Sequence, residues 1–218
     1  MPIIEACIFD LDGVIVDTAK YHYQSWRSIA NELGFDFSWE QNEQLKGVSR
    51  ADSLDIILKI GNKSLEDEVK QEYLVKKNEL YLSHIKGMNP DEVLPGVRSF
   101  LEDLKEKNIK VGLGSASKNA RPILDKTGLF SFFEVIVDGN EVSKSKPDPE
   151  VFLKGAGLLD VSPNKCIVFE DSFSGIIAAN NGGFHSIGIG SPEFLNNADY
   201  VVESLDNLNL SDIISYLN

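Results

Sequence analysis

Short runs of β-branched and apolar residues recur along the chain: Ala6–Phe9, Lys110–Leu113, Val135–Val137, Ile167–Phe169, Ser186–Ile189 and Tyr200–Val202. A strand with one wet face alternates apolar and polar side chains, whereas these runs are apolar on both parities, as strands covered on both faces are. Helical patterns lie between them. Val97, Phe100, Leu101 and Leu104 follow the i, i+3, i+4, i+7 spacing after Pro95-Gly96, and a second pattern over Ile176–Asn180 is closed by Gly182-Gly183. Strands alternating with helices predict an α/β fold, a doubly wound, Rossmann-like parallel sheet.

One stretch breaks the alternation. From about Asp17 to Met88 no strand pattern occurs, and 21–33 reads as a helix. Ser38-x-x-Gln41 has the form of a capping box opening a second helix, and Ser64-x-x-Asp67 opens a long third one through Val69, Tyr73 and Leu80. The expected division is an α/β core over 1–16 and 90–218 with a helical-bundle cap over 17–89, joined near 16–19 and 89–94. A chain of 218 residues fits one core carrying a smaller insertion. It shows no internal repeat and no low-complexity segment.

Composition narrows the partners. With 42% hydrophobic residues the chain buries a core, and 21 basic against 34 acidic residues give a net charge of −13. That balance argues against nucleic acid or an anionic membrane as partner, since both need a basic footprint. Cys7 and Cys166 each lie in an apolar run, too few for a disulfide framework or a four-thiolate zinc site. No apolar run reaches the ~18 residues of a membrane span. Glu5 and Asp10 interrupt any leader-like pattern. A cytoplasmic monomer is expected.

Four segments carry possible chemistry. The first strand runs into Asp10-Leu11-Asp12-Gly13, a carboxylate pair where open α/β sheets place their sites. Such a pair suits a hard divalent cation and attack by a carboxylate, although a polar turn would read the same way. A calcium loop is excluded, because Val14 fills its third ligand position and Tyr21 its twelfth. The second strand ends at Gly114-Ser115-Ala116-Ser117-Lys118-Asn119, a hydroxyl and backbone amides that can cradle phosphate. Lys146 stands in Lys146-Pro147-Asp148-Pro149, where the prolines stiffen the loop. Another strand ends at Glu170-Asp171. Acids gathered from two strand ends repel and need a compensating cation, for which Mg²⁺ is the natural choice. Gly112-x-Gly114 is not a dinucleotide fingerprint, because Ser117 replaces its third glycine, and no P-loop occurs.

Strand-Asp-x-Asp, strand-Ser, loop-Lys-Pro and strand-Glu-Asp, in that order on one α/β core, resemble the haloacid dehalogenase-like phosphotransferases. The helical insertion after the first motif matches that family's mobile cap. Segments 17–22, 42–50 and 114–119 look like the family's β-phosphoglucomutase branch. The resemblance implies Asp10 as phosphoryl-accepting nucleophile and Asp12 as general acid/base. It implies Mg²⁺ on Asp10, Asp12 (through its carbonyl) and Asp171, with Glu170 alongside. Ser115, Ala116 and Lys146 would hold the transferring phosphoryl group. His22 would steer Asp12, Arg50, Ser117 and Asn119 would grip a distal phosphate, and Lys77 would line the sugar pocket with Thr18, Trp26, Gly47 and Ser53.

Several of these residues read differently by themselves. Trp26, four residues after His22, suits core packing, and Lys76-Lys77 suits a solvated helix face. His84 and His185 receive no role. The expected substrate is a small sugar phosphate. The implied reaction interconverts β-glucose 1-phosphate and glucose 6-phosphate through a phosphorylated Asp10 and a bisphosphate. A sugar-phosphate phosphatase and a binding protein without chemistry are the alternatives.

Overall fold

The computed structural model describes residues 4–217, so positions 1–3 and 218 of the expected core lie outside the described residues. Six strands form one sheet: β1 (Ala6–Phe9), β2 (Lys110–Gly114), β3 (Val135–Val137), β4 (Cys166–Glu170), β5 (His185–Ile189) and β6 (Tyr200–Val202). Their order is β3-β2-β1-β4-β5-β6 and every pairing is parallel. The chain steps outward from β1 through β2 to β3, then returns to the other side of β1 for β4 to β6. The reversal at β1 is the topological switch point where such sheets open a crevice at their carboxyl ends.

The strands are short and apolar because both faces are covered, except in the edge strand β6, where Tyr200 is exposed and Val201 and Val202 are half-buried. On one face α5 (Val97–Glu106), α6 (Ala120–Lys126) and α9 (Leu210–Tyr216) bury Phe100, Leu101, Ile123 and Ile213 against Phe9 and Phe169. The Phe9 and Phe169 rings stack at 4.6 Å, across the β1–β4 register that pairs the two residues. On the other face α7 (Glu150–Leu159) and α8 (Phe173–Asn181) pack Phe152, Ala156, Ala178 and Ala179 on Ile8 and Val168. Cys7 and Cys166 are buried free thiols, as their apolar settings require.

Between β1 and α5 lie four α-helices: α1 (Ala19–Glu32), α2 (Trp39–Asn42), α3 (Arg50–Ile60) and α4 (Asp67–Ile85). Trp26, Ile29, Phe37, Leu54 and Ile57 form an apolar cluster of their own there. The end of α4 and the turn after it depart from this, since Tyr81, Ile85 and Met88 join the cluster of the α/β sheet. The Ser38–Gln41 capping box is present, but the helix it opens is only four residues long. Ser64 is not a cap: α4 begins at Asp67 behind Glu66, which makes no side-chain capping bond. A separate cap opens α3, where Ser49 accepts the amide of Asp52 at 3.2 Å. No helix among the described residues is long and apolar enough to cross a membrane.

Candidate active site

Asp10 follows β1 directly, Ser115 follows β2, and Glu170 ends β4 with Asp171 next, so adjacent strand ends bring the three motifs together. Lys146 closes the group from the loop before α7, joined to Pro147 by a cis peptide bond. Its ammonium lies 2.5 Å from Asp10 Oδ1 and 2.6 Å from Glu170 Oε1, with its side chain only 1% exposed. Burial alone would lower the Lys146 pKa, but the two carboxylates outweigh it and hold the ammonium above its ordinary value. Burial pushes the Asp10 carboxyl up, against the pull of Lys146. The second Asp10 oxygen accepts the amide of Asp12 at 3.0 Å.

Glu170 is fully committed. Oε1 takes Lys146, while Oε2 accepts the amide and hydroxyl of Ser172, each at 2.8 Å. Ser172 Oγ also caps α8 by accepting the amide of Gly175 at 3.0 Å. In this arrangement Glu170 anchors Lys146. No group of three or more His, Cys, Asp or Glu side chains among the described residues is arranged to hold a metal.

What remains fits a metal that also draws on water and substrate oxygens, as Mg²⁺ does. Gly13 takes a φ of +84°, and a Cβ there would lie 2.2 Å from Asp171 Oδ2, so the backbone after Asp12 is pressed against that carboxylate. Burial raises the Asp171 pKa to about 7, the mark of a carboxylate short of cationic partners.

Asp12 faces the inserted helices. Thr18, fully buried, donates its hydroxyl to Asp12 Oδ1. His22 Nε2 stands 3.7 Å from the same oxygen, buried and without a hydrogen bond. On its other side, His22 Nδ1 lies 3.0 Å from Lys77 Nζ. When Lys77 is protonated its ammonium only donates, so Nδ1 then accepts and the ring proton falls on Nε2, toward Asp12. Burial, then the charge of Lys77, holds the His22 pKa well below its usual value, so the ring is neutral. Lys77 is not on a solvated face. It is buried over the rings of Trp26 and Tyr81, at 5.0 and 4.7 Å, and burial lowers its pKa to about 7. Lys76 takes the solvated position and pairs with Glu32.

Most of these groups open on one cavity of about 590 Å³. Its walls carry Asp10, Asp12, Ser115, Ala116, Lys146 and Asp171 from the sheet side, with Ser117 and Asn119. The inserted segment supplies His22, Trp26, Gly47, Arg50, Ser53 and Lys77. Thr18 and Glu170 stand behind this lining. Ser115 Oγ accepts the amide of Ser117 at 3.1 Å, and Ser117 Oγ accepts that of Asn119 at 3.2 Å. Arg50 pairs with no carboxylate among the described residues. His84 stacks on Tyr21, and His185 lies 3.9 Å from Asp199, both away from the cavity.

Three residues of this neighbourhood were not among the sequence candidates. Lys46 lines the cavity and lies 3.1 Å from Asp171 Oδ2. Asn42 lines it with a buried side-chain oxygen that lacks a partner, and Tyr81 buries an unpartnered hydroxyl beside Lys77. Tyr81 was within reach of helical spacing, four residues after Lys77. Lys46 needed the fold.

The family model for haloacid dehalogenase-like hydrolases matches residues 4–183. β-Phosphoglucomutase of Bacillus subtilis is 42% identical over 209 residues, covering 95% of this chain and 92% of that protein. A phosphorylated carbohydrates phosphatase of Thermotoga maritima is 35% identical, covering 84% of each chain. In the crystal structure of β-phosphoglucomutase from Clostridium difficile, 45% identical, the fold superposes with a TM-score of 0.95 over 99% of this chain and 97% of that one. With the strand-end motifs assembled on one cavity, the chain is an enzyme that belongs to the haloacid dehalogenase-like hydrolase family, in the branch that includes the β-phosphoglucomutases.

Proposed function

We propose that the chain is a Mg²⁺-dependent mutase that interconverts β-glucose 1-phosphate and glucose 6-phosphate, with 17–89 acting as a cap over the α/β core. The observation that carries this reading is Arg50. It lines the same cavity as Asp10 and Asp12, partly buried and without an acid to pair with. A guanidinium in that setting is a forked site for a second anion, and a bisphosphate intermediate has one. A phosphatase that transfers to water needs no such distal grip.

An oxygen of Asp10 attacks phosphorus, the bond from phosphorus to the sugar oxygen breaks, and Asp12 gives that oxygen its proton. In the return step Asp12 takes the proton of the other sugar hydroxyl as it attacks the aspartyl phosphate. Lys146 and the Ser115 hydroxyl face the transferring oxygens. Glu170 and Ser172 keep the Lys146 ammonium at Asp10 between turnovers. His22, neutral and with its proton toward Asp12, orients that carboxyl without competing for its proton. Asp10, Asp171 and the carbonyl of Asp12 would hold Mg²⁺, which neutralises charge on the phosphoryl group. Water must be kept from the aspartyl phosphate, and a seated cap does this.

Arg50→Ala tests the reading. It should lower mutase turnover at least about tenfold, while hydrolysis of a small phosphate ester falls far less. Equal losses in both assays would assign Arg50 a structural role and favour the phosphatase.

A further inference from the structure

Among the described residues the carboxylate of Asp171 has one ion-pair partner, Lys46 Nζ at 3.1 Å from Oδ2. The contact is long-range and crosses from the inserted helical segment to the end of β4. Oδ2 is also the oxygen pressed against Gly13, on the side of the Asp10–Asp12 turn. The loop carrying Lys46 is seated on the same stretch of core. Ser174 Oγ donates to the Lys46 carbonyl at 3.0 Å, and a Cβ at Gly47, where φ is +74°, would lie 2.6 Å from Ser172 Oγ. Glu43 Oε2, 3.0 Å from the ammonium, holds it from the other side. Burial would lower the Lys46 pKa, yet Asp171 and Glu43 outweigh it and keep the ammonium charged.

We propose that Lys46 is a built-in counter-cation for Asp171, which competes with the divalent metal for Oδ2 whenever the 46–47 loop is seated. This rests on the reading of Asp171 as a metal ligand. A buried carboxylate is costly without a cation, so in the absence of metal the loop lysine supplies one. Once a metal takes the same oxygen, the two cations repel, and seating of the loop and metal loading oppose each other. By linkage the effect is reciprocal: whatever loosens Lys46 tightens metal binding. Lys46 is thus a positioning residue that ties the metal site to the cap.

The test is calorimetric titration of Mg²⁺ into the full chain without sugar phosphate, repeated with Mn²⁺ by paramagnetic resonance. Lys46→Met should bind Mg²⁺ about tenfold more tightly, within the range of coupled sites. Glu43→Gln should shift binding the other way by a smaller factor, because Lys46 then leans on Asp171 alone. Unchanged or weaker Mg²⁺ binding in Lys46→Met overturns the proposal. Asp171→Asn separates the two levels. If it keeps full Mg²⁺ affinity, the metal-ligand reading fails. If it loses Mg²⁺ while Lys46→Met leaves affinity unchanged, only the role of Lys46 fails.

Discussion

Lys77 shows how far one residue's chemistry can depart from what its neighbours in sequence suggest. Among charged helical residues it reads as solvated, yet it is buried between two aromatic rings and a histidine. Its pKa of about 7 lies below the ~10.4 of an unfolded lysine, so between those values the unfolded chain holds more protons than the folded one. Folding stability therefore rises with pH across that window as the buried charge is shed. Below about pH 7 the full cost of burying the ammonium is present. Lys77→Met should accordingly stabilise the protein at pH 6, by about 1–2 kcal/mol, with the gain shrinking toward pH 10. Urea unfolding at several pH values checks this, and a gain independent of pH would contradict the assignment. The positions of the motif residues at the strand ends were legible because they follow from local order: apolar run, then acid or hydroxyl. The contacts of Glu170 with Lys146 and Ser172 have no such signature, since they depend on which side chains the fold brings to it.

Among the elements, strands were the easiest to read. Each of the six apolar runs became a strand with ends within one residue of expectation, since burial on both faces, in all but the edge strand β6, leaves little freedom to place them elsewhere. Helix starts were harder. A capping bond contributes only ~1 kcal/mol, so tertiary packing decides which of several Ser-x-x-acid signals is used. Ser64 lost to Glu66, while Ser49 capped α3. Ser172 is a cap with a second duty, since its hydroxyl joins α8 to Glu170 and thereby to Lys146. Ser172→Ala should cost about 1–2 kcal/mol in urea unfolding, above the usual cap loss, because a buried carboxylate loses a donor. A change within ~0.3 kcal/mol would mean the Glu170 contact contributes nothing.

At the scale of the molecule, the cavity exists because the inserted helices rest on the sheet's carboxyl end. Lys46 meets Asp171, Ser145 Oγ donates to Asp52 at 2.8 Å, and Asn119 donates to Asn78 at 3.1 Å. None of these three contacts has a local sequence signature; they join residues far apart in the chain, so the seated arrangement could not be read in advance. The net charge of −13 takes on local meaning in the same way. An acidic surface does not attract a phosphorylated sugar, and the cavity answers this with Arg50, Lys77, Lys118 and Lys146 on its own walls. In the proposed mechanism, these cations and the Asp10–Asp12 pair pass a phosphoryl group between two positions of one sugar. The direct measurement supplies β-glucose 1-phosphate, Mg²⁺ and a trace of the 1,6-bisphosphate, and follows glucose 6-phosphate and inorganic phosphate together. Glucose 6-phosphate formed with little inorganic phosphate is the expected result; stoichiometric release of inorganic phosphate, or no reaction, would contradict it.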